Sequence, residues 1–78
     1  MIYRASDFRI TNGFASVEDG NQITAFRVAD MESVKTVWVS GEAVWDLVVR
    51  MRSGYKLRLT FRELGNIVDQ LLGTRPAS

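Results

Sequence analysis

Large apolar residues recur at every second position through the middle of this chain and at every third or fourth position near its end. The cleanest alternation runs from Val44 to Phe61. Ala43, Trp45, Leu47, Val49 and Met51 lie on one face, and Tyr55, Leu57, Leu59 and Phe61 take up the same face after a break at Arg52-Ser53-Gly54. A period of two marks a half-buried strand, so the stretch reads as a hairpin. A two-residue loop at Ser53-Gly54 would pair Met51 with Lys56 and turn cations toward the core. A three-residue loop pairs Met51 with Tyr55, Val49 with Leu57, Leu47 with Leu59 and Trp45 with Phe61. Only the second keeps both apolar sets together, because a one-residue slip reverses every side chain. It also puts Gly54 at the third loop position, where a bulged hairpin needs a left-handed residue.

Upstream, short β-prone runs are separated by turn residues. Strands are expected over 8–11, 14–17, 23–28 and 34–40, followed by the two hairpin strands over 43–52 and 55–60. Asn12-Gly13 and the run EDGN at 18–21 are hairpin turns by composition. The run ADMES at 29–33 reads as a single helical turn, and Gly41-Glu42 turns the chain into the hairpin. A helix is expected over 61–72, with a tail at 73–78. Leu64, Ile67, Val68, Leu71 and Leu72 follow the i, i+3, i+4, i+7, i+8 stripe. Thr60 and Glu63 have the spacing of a capping box, and Leu59 and Leu64 that of a hydrophobic staple. Gly73 and then Pro76 are stop signals. The expected fold is a small α+β domain. It has an antiparallel, strongly bent sheet or partial barrel of five to six strands, and one C-terminal helix packed on its apolar face.

That order resembles small bacterial pleckstrin-homology-like domains. FRITNGFASVEDGNQITAFRVADMESVKTV is similar to their opening strands. SGEAVWDLVVRMRSGYKLRLTFRELGNIVDQLL is similar to their closing hairpin and capping helix. The likeness covers nearly the whole chain but lies in turns and alternation, with no diagnostic motif. The chain is also about one strand shorter than typical members. The resemblance implies a binding or assembly module and transfers no catalytic residue.

Composition narrows the chemistry. With 78 residues, one domain is expected, and 46% hydrophobic with 24% charged residues is ordinary for a globular chain. There is no cysteine and no histidine, which removes disulfides, thiol nucleophiles, imidazole bases and the usual zinc ligands. No apolar run approaches the roughly 18–20 residues of a membrane span. The opening MIYRASDFRI lacks the apolar stretch of a secretory leader. The expectation is a soluble, cytoplasmic protein. The carboxylates are scattered and the glycines are spaced as turns, with no phosphate-loop pattern. No catalytic residue, metal ligand or cofactor is therefore expected.

Two surfaces remain. Val44 and Val48 point away from the apolar face of the hairpin, and with Trp38 they are expected to form an apolar interface. The expected partner is a second copy of the chain, as a homodimer or small homo-oligomer, or else another protein. The alternative uses the opposite chemistry. Arg50, Arg52, Lys56, Arg58 and Arg62 would bind an anion or a nucleic acid. The net charge is only +1, and the aromatic residues Tyr55 and Phe61 face away from the cations. Stacking platforms are a usual part of single-strand sites, so nucleic acid ranks second. An enzyme working without histidine or cysteine ranks third. The function expected first is a non-catalytic, self-associating interaction module.

Overall fold

A computed structural model of the chain describes residues 2–74. Its element order is β1 (Ile2–Tyr3), β2 (Phe8–Thr11), β3 (Phe14–Asp19), β4 (Gln22–Arg27), β5 (Met31–Val39), β6 (Val44–Met51), β7 (Lys56–Phe61) and α1 (Ile67–Thr74). Single 3-10 turns at Ala5–Asp7 and Val28–Asp30 join β1 to β2 and β4 to β5. The second overlaps the helical turn expected over the run ADMES only at Ala29 and Asp30, and Met31 to Ser33 already belong to β5. The strands form two sheets, one in the order β2-β3-β4 and one in the order β1-β7-β6-β5.

The α+β class and the C-terminal helix agree with the expectation. The strand count and the closure do not. Seven described strands divide between two sheets that do not close into a barrel, in place of one bent sheet of five or six. The additional strand is β1, which runs parallel to β7 with Ile2 opposite Thr60 and Tyr3 opposite Phe61. Two residues are too few to show a period, so pattern alone gives no sign of it.

The hairpin register is the expected one. Trp45 lies opposite Phe61, Leu47 opposite Leu59, Val49 opposite Leu57 and Arg50 opposite Lys56. The Met51 N–H donates to the Tyr55 carbonyl at 2.8 Å, and the Gly54 N–H donates to the Met51 carbonyl at 2.9 Å. Gly54 has a φ of +94°, a conformation glycine reaches without the Cβ clash that penalises other residues. Asn12 and Gly13, at φ of +52° and +81°, close the β2–β3 hairpin between Thr11 and Phe14. Positive φ at both central residues is the signature of the turn that matches strand twist.

The helix begins later than its capping box suggests. Phe61 ends β7, and α1 starts at Ile67. Thr60 is a strand residue whose hydroxyl donates to Asp46 Oδ1 at 2.8 Å. Glu63 accepts the N–H of Ala5 at 3.2 Å. Between them and the helix, Gly65 takes a φ of +52°, which interrupts any helix through it. At the other end α1 passes through Gly73 to Thr74. Pro76 and the rest of the expected tail lie outside the described residues.

One apolar cluster joins the layers. Phe8, Ala15, Val17 and Phe26 come from the three-stranded sheet. Met31, Leu47, Val49, Leu59 and Phe61 come from the four-stranded sheet, and Ile67 and Leu71 from the helix. Phe61 is fully buried at the centre. It meets Phe8 edge-on at 6.4 Å between ring centroids and Tyr3 at 5.7 Å, distances at which aromatic pairs attract.

Candidate interaction surfaces

Among the described residues β5 is the outermost strand of its sheet, and β6 is its one neighbour. It runs for nine residues, which is long for an edge. After an irregularity between Met31 and Ser33, its register with β6 is regular from Ser33 to Val39. Trp38 stands opposite Trp45, and the two rings approach to 5.0 Å at a tilt of 56°. Residues directly opposite each other in an antiparallel pair share a face. Trp38 therefore lies on the face of Trp45, Leu47 and Val49, the face that carries the core.

This corrects the grouping of Trp38 with Val44 and Val48. Those two valines belong to the other face, where Val44 opposes Val39 and Val48 opposes Lys35. Val44 is buried at 2% exposure and Val48 is half-buried, whereas Trp38 is 49% exposed. The three residues do not form one patch. The signal that would have shown this was in the sequence: a turn at Gly41-Glu42 already places Trp38 opposite Trp45. The apolar residue that accompanies Trp38 along the open edge is Val37, 44% exposed on the opposite face.

Along that opposite face the register sets out two rows of side chains across the sheet. Arg58, Val48 and Lys35 form one, and Lys56, Arg50 and Ser33 the other. Lys35 is a basic member that the hairpin pattern alone does not reveal, because it comes from β5. The face is not a free block of positive charge. Arg50 Nε lies 3.2 Å from Glu32 Oε1, and Arg58 Nε lies 3.8 Å from Asp46 Oδ2. Asp46 is in turn held by the Thr60 hydroxyl. Both ion pairs involve exposed arginines, and such pairs contribute little to stability, but each sets a carboxylate against a cation on this face. Arg52 lies in the hairpin loop, and Arg62 lies just beyond the far end of β7. Lys56 and Arg62 are about 20 Å apart along an extended chain. The five cations expected to act together are thus spread from one end of the hairpin to the other.

Among the described residues no group of three His, Cys, Asp or Glu side chains is placed to hold a metal ion. No helix there is long and apolar enough to cross a membrane. No known family model matches the chain, and no curated protein or solved structure matches it either.

Proposed function

We propose that this protein is a non-catalytic interaction module that self-associates through the open edge of β5. The observation that carries the reading is the edge itself. A nine-residue strand with no partner on its outer side among the described residues carries Val37 and Trp38 at 44% and 49% exposure. Unpaired strand edges are templates for further pairing, and natural sheets blunt them with charge, proline or a cover. From Val34 to Val39 this edge has one charge, Lys35, and no proline. An edge is also self-complementary. Two antiparallel copies related by a two-fold axis exchange the same donors and acceptors, which is the isologous geometry of the commonest oligomers. Trp38 would then sit near the seam with its ring against Trp45, and aromatic anchors carry much of the energy at such contacts. The pleckstrin-homology-like resemblance in the order of elements is compatible with a module of this kind.

The test is molar mass in solution by light scattering, at low and high salt. Wild type is expected to run as a dimer or small oligomer at both. Trp38→Ala and, separately, Val37→Lys are expected to lower the mass to that of a monomer. The first removes the anchor, and the second adds a cation two residues from Lys35. A wild-type monomer at concentrations up to the millimolar range would sink the reading. So would an oligomer untouched by either substitution. Arg50→Glu with Arg58→Glu is expected to leave the mass unchanged, since these side chains stand on β6 and β7 and not on the edge strand.

A further inference from the structure

A second open edge lies on the other sheet. β4 pairs with β3 on one side only. Across from it, β7 is paired by β1 only at Thr60 and Phe61, which leaves Lys56 to Leu59 without a neighbour on that side among the described residues. A cleft of about 540 Å³ runs beside β4, lined by four of its consecutive residues, Thr24 to Arg27, and on the other side by Met51 at the end of β6, Tyr55 in the hairpin loop and Leu57 of β7. Consecutive strand residues point to opposite faces. A cleft that touches four in a row therefore runs along the backbone edge of β4 and not over one of its faces.

The side chains around it are sorted by face. Phe26 and Leu57 belong to the apolar cluster or pack against it. Arg27 is exposed on the outer face, where its guanidinium stands 5.6 Å from the centre of the Phe14 ring. Arg52 contributes from the hairpin loop. Asp30 is the one acid among the lining residues. Its backbone carbonyl accepts the Arg52 N–H at 2.9 Å, which fixes the loop at this end of the cleft.

We propose that the cleft is a docking groove for an extended peptide segment of alternating apolar and acidic residues, which adds as a strand along the edge of β4. Strand addition supplies backbone hydrogen bonds, and alternate side-chain positions supply selectivity. Inward positions of such a segment meet Phe26 and Leu57. Outward positions lie between Arg27 on one side and Arg52 on the other. Two arginines against one carboxylate favour acidic side chains there, because opposite charges on neighbouring strands attract and like charges repel. The groove is independent of the β5 edge, which belongs to the other sheet.

Two capped heptapeptides test it, acetyl-TEVEVET-amide and its lysine counterpart acetyl-TKVKVKT-amide. Each is titrated into the full chain, and backbone amide exchange is followed residue by residue. The acidic peptide is expected to bind about tenfold tighter than the basic one at low salt, the sum of two exposed ion pairs gained with one peptide and two repulsions with the other. Its advantage shrinks as salt rises. It is expected to slow exchange within residues 22–27, with 31–39 unchanged. Arg27→Glu with Arg52→Glu is expected to reverse the preference between the peptides. Both side chains are exposed, and an unchanged spectrum of the free variant shows that it folds. The proposal falls if neither peptide binds wild type, or if both bind equally. It also falls if protection appears on 31–39 instead, which would assign peptide capture to the β5 edge.

Discussion

Gly54 and Ala43 sit in successive hairpin loops, both in the left-handed region, and they predict opposite signs. At Gly54, φ is +94° and no heavy atom would crowd an added Cβ, so a substitution there tests backbone strain alone. Gly54→Ala is expected to cost about 1 kcal/mol or more, read as a lower urea midpoint with an unchanged slope. Ala43 already has φ of +54°, so Ala43→Gly relieves strain while giving the unfolded chain more freedom. The strain is about 1–3 kcal/mol and the added freedom about 0.4–1 kcal/mol, so a gain between about 0 and 2.6 kcal/mol in the same titration is expected. If Ala43→Gly were destabilising, the loop would not have the conformation described. Thr60 shows the same logic for a side chain. Its hydroxyl serves Asp46 across the sheet and not a helix end. Thr60→Val should cost about 0.5–1.5 kcal/mol and leave the helical signal of the folded protein intact.

Elements were legible where their signals are local. The β6–β7 hairpin follows from parity and one glycine, and the β2–β3 turn follows from Asn12-Gly13. The helix stripe was half legible. Ile67 and Leu71 are buried at 1% and 0% exposure and Val68 packs on the core, but Leu72 is 50% exposed. Leu64 fits the helical period from outside the helix, where it packs on the same cluster. Thr60 and Glu63 matched a capping box because their spacing did. Their partners, Asp46 and the N–H of Ala5, lie 14 and 58 residues away in the chain, and no local pattern shows such contacts. β1 was hidden for the same reason as well as by its shortness, since its parallel pairing joins residues 58 apart in the chain. The division of the stripe has a measurable consequence. Leu71→Ala is expected to destabilise by about 2–5 kcal/mol through lost burial and a residual cavity. Leu72→Ala should stay within about 0.5 kcal/mol of wild type. Comparable losses from both would mean that the helix is covered on a second side.

At the scale of the molecule, the question is whether two sheets that do not close into a barrel unfold as one unit. The core argues that they do. Phe61 carries contacts to Phe8 in the other sheet and to Tyr3 in β1, and Ile67 and Leu71 belong to the same cluster. Removing either sheet would expose apolar surface that the other cannot cover, and domains of this size are only marginally stable to begin with. The two tryptophans provide the probe. Trp38 and Trp45 stand together near the end of the β5–β6 hairpin, and they are the only tryptophans in the chain. Their fluorescence therefore reports this corner, whereas far-ultraviolet circular dichroism reports the whole backbone. Trp45 is tied to the centre, because it lies opposite Phe61, so the corner should be lost together with the core. The urea transitions read by the two signals are expected to coincide, the usual mark of two-state unfolding. Native-state amide exchange should be slowest in the middle strands, β3 and β6. It should be faster along the outer edge of β4, where local opening needs little apolar exposure, and along β5 only once Trp38→Ala has made the protein monomeric. A fluorescence transition at lower urea than the dichroism would show that the β5 edge and its tryptophan pair open independently of the core. Trp38 would then not be held in place before a partner arrives, and the proposed self-association would have to include the cost of ordering that edge.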